Sequence, residues 1–199
     1  MKAFANFISY ALHPIFLFTY LYISYWVLFP YPMPLSISGI LLISGLLFFN
    51  TALLPVLFLI LGGRSLVKQT LQERRSTVLV VMLIYALTFW FFPERFIPEY
   101  LRWTLMAISL GMLIAFVVNF WFKISLHASG WGGFVAVYLY LLSDYGASYF
   151  YPFMIAIICA GLVGMARLYL GAHSNKELYV GYISGFGLTA VVLFTMPIL

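Results

Sequence analysis

Long apolar runs broken by short polar ones dominate the chain. A helix crosses a hydrocarbon layer with about 20 apolar residues. By that measure seven candidate spans recur, at about 13–29, 35–61, 77–92, 101–122, 126–142, 148–170 and 175–196. The breaks carry turn chemistry: "PYPMP" after the first run, "GGRSLVKQTLQERRS" between the second and third, and "PERFIPE" after the third. The runs are unbroken rather than alternating, which predicts helices and not the strands of a barrel. The expected fold class is all-α: a polytopic transmembrane helical bundle of six to seven spans, with residues 1–199 forming a single integral-membrane domain.

Composition strengthens that picture. Sixty-five per cent of the residues are hydrophobic and 8% are charged. A soluble domain covers its surface with about 25% charged residues, so the chain reads as an integral membrane protein. The 20% of aromatic residues suits a bundle with many interfacial Tyr and Trp anchors. Cys159 is the one cysteine, which excludes an intramolecular disulfide and a cysteine-based metal site. The opening "MKAFANFISYALHPIFLF" has a lysine, then an apolar stretch, and no small-residue cleavage pattern. It therefore reads as a retained first helix. A net charge of +5 concerns topology and anionic lipid head groups rather than nucleic acid. A multi-pass protein of a bacterial inner membrane is the expected setting.

Alternating spans sort the charges onto two faces. One face receives Lys2, the basic segment at 62–76, Lys123, Arg167 and Lys176; the other receives Glu94, Arg95, Glu99, Arg102 and Asp144. The positive-inside rule makes the first face cytoplasmic. Even numbers of crossings separate the basic segment, the 123–127 region and the 167–173 region. Those three segments are therefore expected to converge on one rim of the bundle.

Three stretches on that rim carry chemistry. In "NFWFKISLHASGWGG", Lys123 and His127 are four residues apart and share a helical face. Such groups at the end of an apolar span are costly unless partnered or used. Gly130, Gly132 and Gly133 then permit close approach of a ligand or of another helix. In "RLYLGAHSNKE", Ser174 and Glu177 form a capping-box pattern. Glu177 also lies one turn from His173, where a carboxylate holds one imidazole nitrogen and leaves the other as a nucleophile. Arg167 offers a fork of donors suited to phosphate. In "RSLVKQTLQERRS", Lys68, Arg74 and Arg75 read as a basic loop or as further phosphate ligands.

The order Arg167, five residues, His173, three residues, Glu177 resembles the third signature of the type 2 phosphatidic-acid phosphatase superfamily, Ser-Arg-x5-His-x3-Asp. Ala166 stands for the serine and Glu177 for the aspartate. "HASG" at 127–130 resembles a rearranged second signature, Pro-Ser-Gly-His. Lys68 to Arg75 has the spacing of the first, Lys-x6-Arg-Pro, with Ser76 in place of the proline; Lys123 is the alternative holder of that lysine's place. The resemblance covers about the C-terminal 80 residues.

The resemblance implies a lipid phosphatase acting on a lipid phosphate or diphosphate through a phosphohistidine, with no metal and no other cofactor. His173 would be the nucleophile, Glu177 its orienting acid and His127 the acid that protonates the leaving alcohol. Arg167 and Lys123 would clamp the phosphate, with Lys68, Arg74 or Arg75 assisting. Phosphatidic acid, phosphatidylglycerol phosphate and undecaprenyl diphosphate are the candidate substrates. Two alternatives stay open: a lipid phosphotransferase on the same scaffold, and a non-catalytic lipid-head-group binder or transporter. His13 is read as an interfacial or structural histidine, and Asp144 and Arg102 are given no role.

Overall fold

A computed structural model describes residues 1–28, 35–64 and 69–195. Among them the chain is helical, with no strand. The elements are α1 (Lys2–Ala11), a 3-10 turn (Pro14–Phe16), α2 (Leu17–Leu28), α3 (Ile37–Phe48), a π-helical turn (Phe49–Leu53), α4 (Leu54–Leu61) and α5 (Leu71–Phe91). A second 3-10 turn (Glu94–Phe96) leads to α6 (Glu99–Val118) and α7 (Leu126–Tyr145). A third (Gly146–Tyr149) leads to α8 (Phe150–Tyr169), and α9 (Asn175–Thr195) follows. Six helical stretches among the described residues are long and apolar enough to cross a membrane, so this is a multi-pass membrane protein with an all-α architecture. One stretch, Leu126–Tyr169, has 44 residues. Straight, it would be ~66 Å long, about twice the ~30 Å of a hydrocarbon core. The 3-10 turn at Gly146–Tyr149 folds it into α7 and α8, which pack on each other.

Two of the boundaries that differ from the sequence pattern matter for the rim. The first helical stretch begins at Lys2, not near residue 13, and breaks where Pro14 removes a backbone donor. There His13 Nδ1 accepts from the Ile15 N–H over 3.2 Å and caps the next turn. The short α1 packs against α8 and leaves Phe4, Phe7 and Tyr10 on its outer face. The second difference is at α5, which starts at Leu71 rather than at Thr77. Thr70 and Glu73 form a capping box: Glu73 N–H donates to Thr70 Oγ1 (3.3 Å), and Thr70 N–H donates to Glu73 Oε2 (2.8 Å). Arg74 and Arg75 therefore belong to a helix's first turns, not to a loop. Adjacent helical residues point ~100° apart, so the two arginines part company.

The tightest seam joins α7 to α9. A Cβ added at Gly185 would lie 1.9 Å from Ser129 O, and one at Gly132 would lie 2.4 Å from Tyr182 O. Backbone meets backbone there, as small residues allow between helices in lipid. The glycines after His127 thus serve helix packing: Gly132 and Gly133 face α9, and Gly130 faces Pro14. At the opposite end of the bundle, Arg102 pairs with Glu94 and lies over the Phe89 ring.

Candidate functional site

The site starts at the end of α8. Gly171, at φ 61°, reverses the chain. Gly171 N–H donates to Leu168 O (2.9 Å) and Ala172 N–H donates to Arg167 O (3.0 Å), the two bonds of a Schellman cap. That cap holds Arg167, in the last turn of α8, close to His173, two residues beyond the reversal. Arg167 is 3% exposed. A cation at a helix C-terminus is favoured by the helix dipole.

Glu177 performs both of the tasks that the sequence left open. His173 Nδ1–H donates to Glu177 Oε2 over 2.6 Å. The same oxygen accepts the Ser174 N–H at 3.4 Å, and Ser174 Oγ accepts the Glu177 N–H at 3.4 Å, closing the capping box of α9. With Nδ1 engaged, Nε2 is the nitrogen left to act. Burial pushes the His173 imidazole down to about 4; the Glu177 bond opposes this, and Arg74, Arg167 and Lys123 add to it. At neutral pH the ring is therefore uncharged, which is the form a nucleophile needs.

His127 enters from α7. Ser125 caps this helix by accepting the Ala128 N–H (3.4 Å), and its own N–H donates to Glu177 O (3.2 Å). His127 is 5% exposed. Its Nε2 donates to Ser9 O on α1 (3.3 Å), so Nδ1 is the nitrogen left for proton transfer. The His13 ring stands edge-on to it, with centroids 4.7 Å apart.

These groups share one cavity of about 770 Å³. His13, Arg74, Lys123, His127, Arg167 and His173 all line it, as Lys2 and Glu73 do. Lys123 Nζ donates to Ala172 O (3.3 Å), and Arg74 Nη2 donates to Ile124 O. Glu177 does not line the cavity and acts through His173. Cationic side chains from α5, the α6–α7 connection and α8 thus face the same space as three imidazoles. Such a chamber suits a small polyanion.

Not every predicted ligand reaches it. Arg75 is absent from the cavity wall; it donates to Asn119 O from Nε (3.3 Å) and Nη2 (3.2 Å), and its guanidinium lies 4.2 Å over the Phe120 ring. Its partners pin α5 to the end of α6. Lys68 lies outside the described residues. His13, read as interfacial or structural from the sequence, lines the cavity and touches His127. The signal for it was weak: one histidine before a proline, more than a hundred residues from its partner. Among the described residues no three His, Cys, Asp or Glu side chains gather as a metal site.

Comparison of the chain with protein-family models, with curated proteins and with solved structures finds no match.

Proposed function

We propose that this protein is a phosphatase of the membrane, hydrolysing a lipid phosphate or diphosphate through a phosphohistidine, in a bacterial inner membrane. One observation carries the reading: His173, held by Glu177, faces the same cavity as His127, Arg74, Lys123 and Arg167. The third-signature order of Arg167, His173 and Glu177 in the sequence points the same way.

The reaction runs in two displacements. The phosphate head enters the chamber, and Arg74, Lys123 and Arg167 balance its charge. His173 Nε2 attacks phosphorus, and a P–N bond forms as the P–O bond to the lipid breaks. His127 enters this step as the imidazolium, with Nε2–H on Ser9 O and a second proton on Nδ1; the leaving alkoxide takes the Nδ1 proton and departs as the alcohol, or as the monophosphate where the substrate is a diphosphate, and His127 becomes neutral. His127 then accepts a proton from water, whose oxygen attacks phosphorus. The P–N bond breaks, and inorganic phosphate and neutral His173 are released. The Nδ1–H bond to Glu177 stabilises the positive charge that His173 carries while phosphorylated. Fixed cations that meet the charge developing at phosphorus are the main source of such acceleration.

Phosphate release by purified protein from a panel of phosphatidic acid, phosphatidylglycerol phosphate and undecaprenyl diphosphate tests this. Release from at least one of them, lost by about 10³-fold or more in His173→Ala, is expected, together with an acid-labile phosphoprotein in the wild type. A protein that binds these lipids but releases no phosphate, or that is unaffected by His173→Ala, is a head-group binder and not this enzyme.

A further inference from the structure

The cavity does not stop at the cations. Its charged wall, formed by Lys2, Glu73, Arg74, Lys123 and Arg167, lies wholly at the rim. Below it the wall continues along α5 through Val78 and Val81 to Tyr85, along α7 to Val137 and along α6 to Thr104, with no further charge. From Arg74 to Tyr85 is 11 positions, or ~16 Å of helix, about half of a ~30 Å hydrocarbon core.

Three of the hydroxyls on this deeper wall are already spent on backbone. Thr77 donates to Glu73 O (2.9 Å), Thr104 to Tyr100 O (2.7 Å) and Tyr85 to Thr51 O (3.2 Å). They therefore present mainly carbon to the cavity. One turn further on, the bundle is filled: Tyr25, Leu101 and Leu141 are no more than 2% exposed and belong to the packed core. The space is a shaft with a cationic mouth, an apolar barrel and a closed floor.

We infer that this shaft takes hydrocarbon of the substrate into the bundle, so that the tail of the lipid phosphate lies among α5, α6, α7 and α9 and not in the bilayer alone. The head-group half of this statement rests on the phosphatase reading; the tail half rests on the shaft alone. Depth sets how much of the tail the shaft holds. With C–C bonds near 1.5 Å in zigzag, ~16 Å holds about a dozen carbons, and a longer chain has to fold back or leave between helices.

Gly111 narrows the choice of experiment. It lines the shaft on α6, and a Cβ there would meet only Leu188 Cδ2, at an ordinary 3.5 Å. A larger side chain at this position would therefore grow into the barrel without striking backbone.

The test is photolabelling of the full-length protein in nanodiscs by decyl phosphonate carrying a terminal diazirine, a probe that cannot be hydrolysed. α5 provides an internal control, because Val81 and Tyr85 face the shaft whereas Leu79, Leu83 and Leu87 face outward. Adducts at Val81, Tyr85 or Met112, competed by unlabelled decyl phosphonate and reduced about tenfold in Gly111→Phe, are the expected result. Should Gly111→Phe fail to fold, the wild-type adduct positions and their competition still decide. Adducts at Leu79, Leu83 and Leu87, or no competed adduct at all, overturn the inference. Inward adducts without phosphate release from any lipid would keep the tail site and remove the phosphatase.

Discussion

The backbone N–H of Ser125 donates to the carbonyl of Glu177 over 3.2 Å, tying the N-terminus of α7 to the N-terminus of α9. His127 lies two residues beyond one end of this bond, and the carboxylate that orients His173 belongs to the other. The proposed acid and the proposed nucleophile are thus referenced to a single inter-helix contact. The glycine seam below it sets how closely the two helices approach.

That seam makes the site sensitive to a methyl group. Gly185→Ala would place a Cβ 1.9 Å from Ser129 O, a backbone atom that cannot swing aside. The helices have to separate, and overpacking of this kind costs about 1–3 kcal/mol or more. A lower thermal midpoint in detergent, with activity falling alongside it, is expected. Gly187→Ala, where a Cβ meets nothing within 4 Å, should leave the midpoint in place. Equal midpoints for both variants would contradict the close approach.

Neighbouring arginines should behave differently. Arg74→Ala removes a cation from the cavity wall and is expected to lower kcat/KM by about 10²-fold, the usual effect of losing one donor to a developing oxyanion. Arg75→Ala removes a guanidinium that rests on Phe120 and Asn119. It should cost about 0.5–1 kcal/mol of stability and change KM little. Equal loss of activity in the two variants would mean that both reach the phosphate.

In the proposed reaction the acid limb follows from His173. Its pKa is lowered to about 4, chiefly by burial. Attack on phosphorus needs the neutral ring, so this group's contribution is complete at neutral pH and is lost only as pH falls through about 4. An ordinary histidine would lose it near 6.5. NMR titration of isotope-labelled histidine, assigned by His173→Ala, reads this directly. Lys123→Ala removes one of the cations that holds the value down, so the midpoint should rise. A wild-type midpoint near 6.5 would place the ring in water rather than in the chamber.

If His127 supplies the proton to the departing alkoxide, its loss should matter only where the leaving group needs one. His127→Gln is expected to slow hydrolysis of an alkyl phosphate by about 10²–10⁴-fold, and to affect nitrophenyl phosphate far less, because nitrophenolate leaves unprotonated. Equal slowing on both substrates would assign His127 to binding or structure.

The sequence by itself determined the membrane setting, the helical class and the local geometry of the C-terminal part of the candidate site. Those rest on local physics: apolar runs long enough to span, and the positions 167, 171, 173 and 177, which lie within three helical turns and whose cap and hydrogen bond are built from near neighbours. The Thr70–Glu73 capping box was also written in the chain, and reading it would have put Arg74 and Arg75 on a helix and separated their directions. Only the tertiary structure decided the rest. Ser9 is 118 positions from His127 and still accepts its Nε2–H, and His13 reaches the same ring. The shaft is a space left between helices whose facing residues look, along the chain, like any other apolar ones. Periodicity marks which side of a helix is apolar; in a lipid-facing bundle both sides are, so the pattern loses its power to tell core, lipid face and cavity wall apart, and packing alone makes the distinction.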